Sequence, residues 1–127
     1  MITIKLINEQ ALDASDVAVT LVTGPYPHDV GPFTHVYGSG IGAIVTAEAP
    51  QLLINRLSTR ADFAVLQRPN GTPVWIHGPS VSMVRPPECE EQPGVNAIVM
   101  VGAFHQAVQE SAPLVLQILQ GHNARIA

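Results

Sequence analysis

The sequence predicts an α+β, β-rich fold made of two tandem pseudo-repeated β-meander-plus-helix lobes packed together, and three observations carry that prediction. One is a match between two halves of the chain. Val36–Leu53 lies over Val99–Leu116 at a constant offset of 63 residues (99 − 36), so that Val45 meets Val108 and Ala49-Pro50 meets Ala112-Pro113. Apolar character also matches at Tyr37/Met100 and Ile41/Phe104, and further upstream Leu12–Val17 lies over Ile76–Val81 with one residue of slippage. A repeated unit of this size is read before any single element. The second observation is that short β-branched runs alternate with Gly and Pro punctuation. The third is that each half closes on an apolar stripe at helical spacing that follows a proline. The halves run over 1–58 and 63–121, joined by the short polar connector at 58–62.

In the first half, Val19–Val22 and the run from Val36 read as strands, and Gly38-Ser-Gly-Ile-Gly42 reads as a hairpin turn or bulge. A helix follows Pro50, with Ala49, Leu52, Leu53 and Leu57 on one face. The second half is clearer. Phe63–Arg68 is a strand, Pro69-Asn-Gly-Thr72 turns it, and Pro73–Ile76 returns, because Asn-Gly tolerates the positive φ of a two-residue hairpin. Ser80–Arg85 reads as a third strand, with Val81 and Met83 on one face and Ser82 and Val84 on the other. A proline-rich polar loop spans 86–94. Asn96–Val101 is the most β-prone run, and Phe104–Val108 pairs back across Gly102. Ser111 caps the last helix, Pro113 sits in its first turn, Ala112, Val115, Leu116 and Leu119 make its inner face, and Gly121 ends it. At the offset of 63, Arg56 stands where the second half has Leu119, so the two helices are expected to differ in their surroundings.

The stretch Arg68-Pro-Asn-Gly-Thr-Pro-Val-Trp-Ile-His-Gly-Pro-Ser-Val-Ser-Met-Val-Arg-Pro-Pro87 resembles the opening of the small FlbD-like flagellar proteins. Val101–Ser111 and the helix after it suit the closing strand of that family and its Ser-capped helix. The likeness covers about 55 residues, with a degenerate echo in the first half. It departs where His77-Gly78 stands in place of an Asn-Pro pair, and where the loop at 86–94 is long. The resemblance implies a β-meander capped by a helix that has no catalytic residues and acts through protein contacts. It does not imply a flagellar role, because a fold does not carry its function with it.

Composition excludes several classes. Lys5 is the sole lysine, and Arg56, Arg60, Arg68, Arg85 and Arg125 are scattered, so the basic stripe of a nucleic-acid binder is missing. No apolar run approaches the roughly 20 residues of a membrane span. The N-terminus lacks the features of a secretion signal, and Cys89 stands alone, so a cytoplasmic origin is expected. Five histidines, His28, His35, His77, His105 and His122, raise the question of a metal. His28, Asp29 and His35 flank a Gly-Pro loop, yet no ligand spacing accompanies them, and ordinary edge-strand histidines are the better reading. Cys89 lies among Glu88, Glu90 and Glu91, whose charge disfavours a thiolate nucleophile, although a disulfide between copies is open to it. The glycines at 38–42 fit neither a dinucleotide fingerprint nor a P-loop. No pair among Asp13, Asp16, Asp29, Asp62 and the carboxylates at 88–91 is set on one wall for acid–base work. No catalytic residue, cofactor or metal is expected.

What remains is a shortage of charge. Charged residues are 13% of the chain against about 25% in an ordinary soluble domain, and the formal net charge is −4. A small β-rich chain with so few charges is expected to have part of its surface covered by protein, either more copies of itself or a larger assembly. Ile98, Met100, Phe104, Trp75 and Tyr37 are the candidate interface residues. The first expectation is therefore a non-enzymatic structural or assembly protein, for example a bacteriophage virion component such as a capsid decoration or head–tail piece. The alternative is an FlbD-like regulatory or adaptor module that binds one protein partner. The third is a metal-dependent enzyme using His28 and His35.

Overall fold

A computed structural model of the chain describes residues 2–8, 10–15, 18–24, 33–87 and 94–124, and ten strands and two helices lie among them. In chain order these are β1 (Ile2–Lys5), β2 (Ala11–Ala14), β3 (Val19–Thr23), β4 (Thr34–Gly38), β5 (Gly42–Thr46) and α1 (Pro50–Arg56), then β6 (Phe63–Gln67), β7 (Pro73–His77), β8 (Val81–Arg85), β9 (Ala97–Val101), β10 (Phe104–Val108) and α2 (Ala112–Gln120). The fold is α+β and β-rich, with every strand pair antiparallel. Both halves follow one order: hairpin, single strand, hairpin, helix.

The agreement reaches into the register. In β1–β2, Ile2 pairs with Ala14 and Ile4 with Leu12. In β6–β7, Ala64 pairs with Ile76 and Leu66 with Val74, which is the same register 62 residues on (64 − 2). Strand β3 carries an irregularity between Val19 and Leu21 where it pairs with β4, and β8 carries one between Val81 and Met83 where it pairs with β9. The residue inside each bulge has a hydroxyl that donates to the facing strand: Thr20 Oγ1 to Tyr37 O at 3.4 Å, and Ser82 Oγ to Met100 O at 3.3 Å. A bulge places two residues opposite one and so reverses the alternation beyond it. For that reason Val81 and Val84 both face the core, while Met83 points out and is 51% exposed. The expected alternation of Val81 with Met83 on one face fails at Ser82.

The halves are not separate lobes in their strand pairing. One sheet has the order β5-β4-β3-β7-β6, and β3 of the first half pairs with β7 of the second through Leu21↔Ile76, Val22↔Trp75 and Thr23↔Val74. The other sheets are β10-β9-β8 and β1-β2. Both faces of the shared sheet contribute to a core. On one side Val22, Val36, Phe63 and Trp75 join Ile2, Ile4, Leu53, Ile54 and Leu57. On the other, Leu21, Leu66, Val74 and Ile76 join Val81, Val99, Val101, Val115 and Leu119. Each half therefore seals its own helix onto its own strands and lends side chains to its neighbour's core. Burial of that kind contributes about 1.5–3 kcal/mol for each large apolar side chain.

The helices differ in detail from the sequence pattern. In α1 the buried residues are Leu53 and Ile54, with Leu57 just beyond, while Leu52 is 63% exposed. In α2 they are Val115 and Leu119. Buried Leu57 and Leu119 are thus the matching positions, and Arg56 lies beside Ile118 in this register instead of replacing Leu119. Ser111 occupies the N-cap position of α2 without a side-chain capping hydrogen bond, and Gly121 is its C-cap. The β6–β7 turn falls at Asn70-Gly71 as expected, but it is not the two-residue hairpin with both residues at positive φ: only Gly71 is there, at φ 85°, Gly71 N donates to Arg68 O, and Asn70 Oδ1 accepts from Thr72 N at 3.0 Å.

Candidate functional site

Strand edges are the first candidate. The outer margins of the two small sheets are closed within each half at one end: Leu6 bridges Thr46 beside β5, and Gln109 N–H donates to Gln67 O beside β6 at 2.8 Å. Strands β2 and β8 are different. Each pairs on one side, with β1 and β9 respectively, and no described strand pairs with the other side. On β8 the half-exposed Met83 sits opposite the part-buried Met100, and Arg85 sits opposite Ile98. On β2, Ala11 and Asp13 are exposed, and Asp13 Oδ1 accepts from Thr3 Oγ1 at 2.6 Å.

The five residues expected at a partner interface fall in three places. Trp75 is buried in the first-half core, supplied from β7 of the second half. Tyr37 and Phe104 pack against each other across the junction with their rings tilted by 58° and centroids 4.8 Å apart. Ile98 and Met100 lie on the face of β9 turned away from the core that holds Val99 and Val101, with Ile98 only 4% exposed. Trp75, Tyr37 and Phe104 are thus engaged inside the chain, and Met100 is the part-exposed neighbour of the open β8 edge. Met83 is not in that set, and simple alternation places it on one face with buried Val81.

A second candidate is the groove where two turns meet, lined by Thr20, Gly38, Ser39 and Gly40 on one side and Gly102 and Phe104 on the other, with a volume of about 390 Å³. Its walls are mostly backbone and apolar, and a Cβ at Gly38 would lie 2.1 Å from Ala18 O, so glycine there is required by close packing. Residues 38–42 form the hairpin turn between β4 and β5, with Gly40 and Gly42 at positive φ.

A third candidate brings together residue types that do hydrolytic chemistry. His77, at the end of β7, has Nδ1 at 2.7 Å from Ser80 Oγ, and its Nε2 lies 3.8 Å from Asp62 Oδ2. The Nε2 atom is buried without a hydrogen-bond partner among the described residues. Burial lowers the His77 pKa from its ordinary 6.5, and the Asp62 carboxylate opposes that shift. A working triad needs the carboxylate in hydrogen-bonding contact with the imidazole and the hydroxyl open to substrate. Here the carboxylate stands off, and the polar depression nearby, about 460 Å³, is lined by Asp62, Pro79, Gln120, Asn123 and Ala124, with neither His77 nor Ser80 in its wall. The cluster has a structural use instead. Asn123 Nδ2 donates to Asp62 Oδ1, His122 Nδ1 lies 3.1 Å from Ala61 O, and Gly78 packs under His122 O, so the connector, β7 and the end of α2 are tied into one corner.

The other chemical candidates are dispersed or lie elsewhere. Among the described residues no group of three or more His, Cys, Asp or Glu is placed to hold a metal. His28, Asp29, Asp16, Cys89 and its glutamates, and Arg125 lie outside the described residues. His35 is on β4 and His105 on β10. No described helix is long and apolar enough to cross a membrane. Searches against protein-family models, curated proteins and solved structures found no match to this chain.

Proposed function

We propose that the protein is a non-enzymatic structural component, made in the cytoplasm, that works by packing in copies, with a bacteriophage virion part such as a capsid decoration or head–tail piece as the fitting setting. The observation that carries this reading is the pair of open strand edges on a surface poor in charge. Natural sheets blunt exposed edges with charge, proline or cover. Here charged residues are 13% of the chain, and Met83, Val65, Leu52, Ile7 and Leu114 are each between 44% and 63% exposed. Such a surface gains free energy from being covered, roughly 25 cal/mol for each Å² of apolar area.

Light scattering coupled to gel filtration tests this directly. The expected result is a mass above the 13.5 kDa of one chain that rises with protein concentration. A 13.5 kDa species at every concentration overturns it, and if that monomer captured one other protein from its native source, the FlbD-like adaptor reading would take its place.

A further inference from the structure

We propose that copies of this chain join head to tail through strand addition, the open edge of β8 in one copy pairing antiparallel with the open edge of β2 in the next. The inference rests on the assembly reading above and gives it a partner, a pair of surfaces and a register.

The chain already contains one instance of the contact. Strand β3 follows the first hairpin and pairs with β7, the returning strand of the second hairpin. Strand β8 matches β3 in its partner on the other side, in the position of its bulge and in the hydroxyl hydrogen bond at that bulge. Strand β2 matches β7 in its hairpin register. The second half therefore carries a β3-type edge with no described strand on it, and the first half carries a β7-type edge with no described strand on it.

The halves are related head to tail within the chain. If they were related by a closed two-fold, β8 would pair with β2 in the same molecule, and the described strand order shows no such pair. A heterologous contact of this kind leaves one copy of each surface unused at the two ends, and a further copy supplies what fits each. The side chains agree. Met83, at the place on β8 that matches buried Leu21 on β3, is 51% exposed, so apolar surface lies open beside this edge for a further copy to cover.

Carrying the β3–β7 register over by 62 residues sets Met83 opposite Ala14, Val84 opposite Asp13 and Arg85 opposite Leu12 of the next copy. Asp13 then stands where Trp75 stands in the intrachain seam. The contact between chains lacks that large apolar anchor, so it is the weaker of the two and depends on concentration.

Cysteine pairing reads the register. In a Cys89→Ser background, a chain with Met83→Cys is mixed with a chain with Ala14→Cys and oxidised. Directly opposed antiparallel residues have Cα atoms about 4.5–5.5 Å apart, inside the range a disulfide spans. The mixture is expected to give a two-chain product, and a single chain carrying both substitutions a ladder of two, three and more. Val65→Cys with Ala14→Cys is the control: Val65 lies on β6, outside this contact, and the pair stays uncrosslinked. Separately, Met83→Lys changes a half-exposed side chain and so leaves the monomer folded. It is expected to weaken self-association by about tenfold or more, since an ammonium replaces a thioether at a surface that loses water.

Self-association that persists with neither the 83–14 crosslink nor any response to Met83→Lys overturns the head-to-tail contact while leaving the assembly reading in place. A product formed only by Met83→Cys with itself overturns it in favour of a symmetric β8–β8 dimer. A chain that stays monomeric at every concentration overturns both.

Discussion

Leu21 and Met83 occupy one position in two halves that share an order of elements, a bulge and a hydrogen bond, and yet one is sealed and the other half-bare. The difference is not in the strand that carries them. It lies in what packs on the face each points from: Leu21 enters the core that holds Val99, Val115 and Leu119, and no described core covers the face of β8 that carries Met83. Burial here is a property of the neighbour, so local sequence cannot assign it. The largest expected effect follows from that contrast. Leu21→Ala removes a side chain packed against Leu66, Val74 and Ile76 and should cost about 2–5 kcal/mol of folding stability. Met83→Ala, measured in the same chemical denaturation at a concentration where the chain is monomeric, should change it by less than about 0.5 kcal/mol. Equal losses at the two sites would mean that Met83 is already covered in the monomer.

That contrast also marks where sequence reading reached and where it stopped. The Asn70-Gly71 hairpin, the β9–β10 pair and α2 were legible because each is set by residues close together in the chain. The apolar matches at an offset of 63 point to a recurring pattern but slip by one residue from β5 onward, where buried Leu53 and Leu57 correspond to Val115 and Leu119. The bulges were not, since Thr20 and Ser82 look like ordinary outward polar residues of a strand, and one extra residue inverts every face beyond them. Nor was the β3–β7 seam, which joins segments some fifty residues apart by backbone groups common to all strands. Of the candidate interface residues, Trp75 lies in a core, a placement not legible for a related reason. A large aromatic in a strand serves a core or a surface equally well, and only the shared sheet decides between them. In α1 the apolar run Leu52-Leu53-Ile54 allowed two faces, and packing under Phe63 and Trp75 selected Leu53 and Ile54.

A second pair of matched residues sharpens the comparison at a smaller scale. Glu48 and Glu110 precede the two helices 62 residues apart (110 − 48), and both tie the approach to the helix back to the first strand of their half. Glu110 does so directly: both carboxylate oxygens lie 3.1 Å from Gln67 N–H and accept from it. Glu48 works through an intermediary, pairing with Arg56, whose Nη1 donates to Thr3 O. A charged acceptor on a backbone N–H is worth about 1.5–3 kcal/mol, whereas a solvent-exposed ion pair is worth about 0–1 kcal/mol. Glu110→Ala is therefore expected to destabilise the chain by about 1–3 kcal/mol, and Glu48→Ala by less than about 1 kcal/mol with a loss that shrinks further in high salt. Denaturation curves at low and high salt check both. A larger loss at Glu48 than at Glu110 would show that the link through Arg56 is the stronger tie.

The smallest expected effect is in pH, and it too separates the halves. His77 stands where the first half has Ser15, so the corner formed by β7, the connector and α2 titrates and its counterpart does not. Desolvation lowers the folded-state pKa of His77 below the unfolded 6.5, and the nearby Asp62 carboxylate partly offsets the shift, which keeps the effect modest. In the interval between the lowered folded value and 6.5 the unfolded chain binds the proton more readily, so stability rises with pH across it. The contribution is present in full above 6.5, is lost as pH falls through the interval, and stays constant below the folded value. Melting temperatures taken across this range should therefore drop on acidification in the native chain, and His77→Gln, which keeps a polar group near Ser80 but does not titrate, should flatten that part of the profile. Every other group remains in both profiles, so the difference between the two curves isolates His77. Profiles that stay parallel down through pH 6.5 would place the proton-sensitive step of unfolding outside this corner.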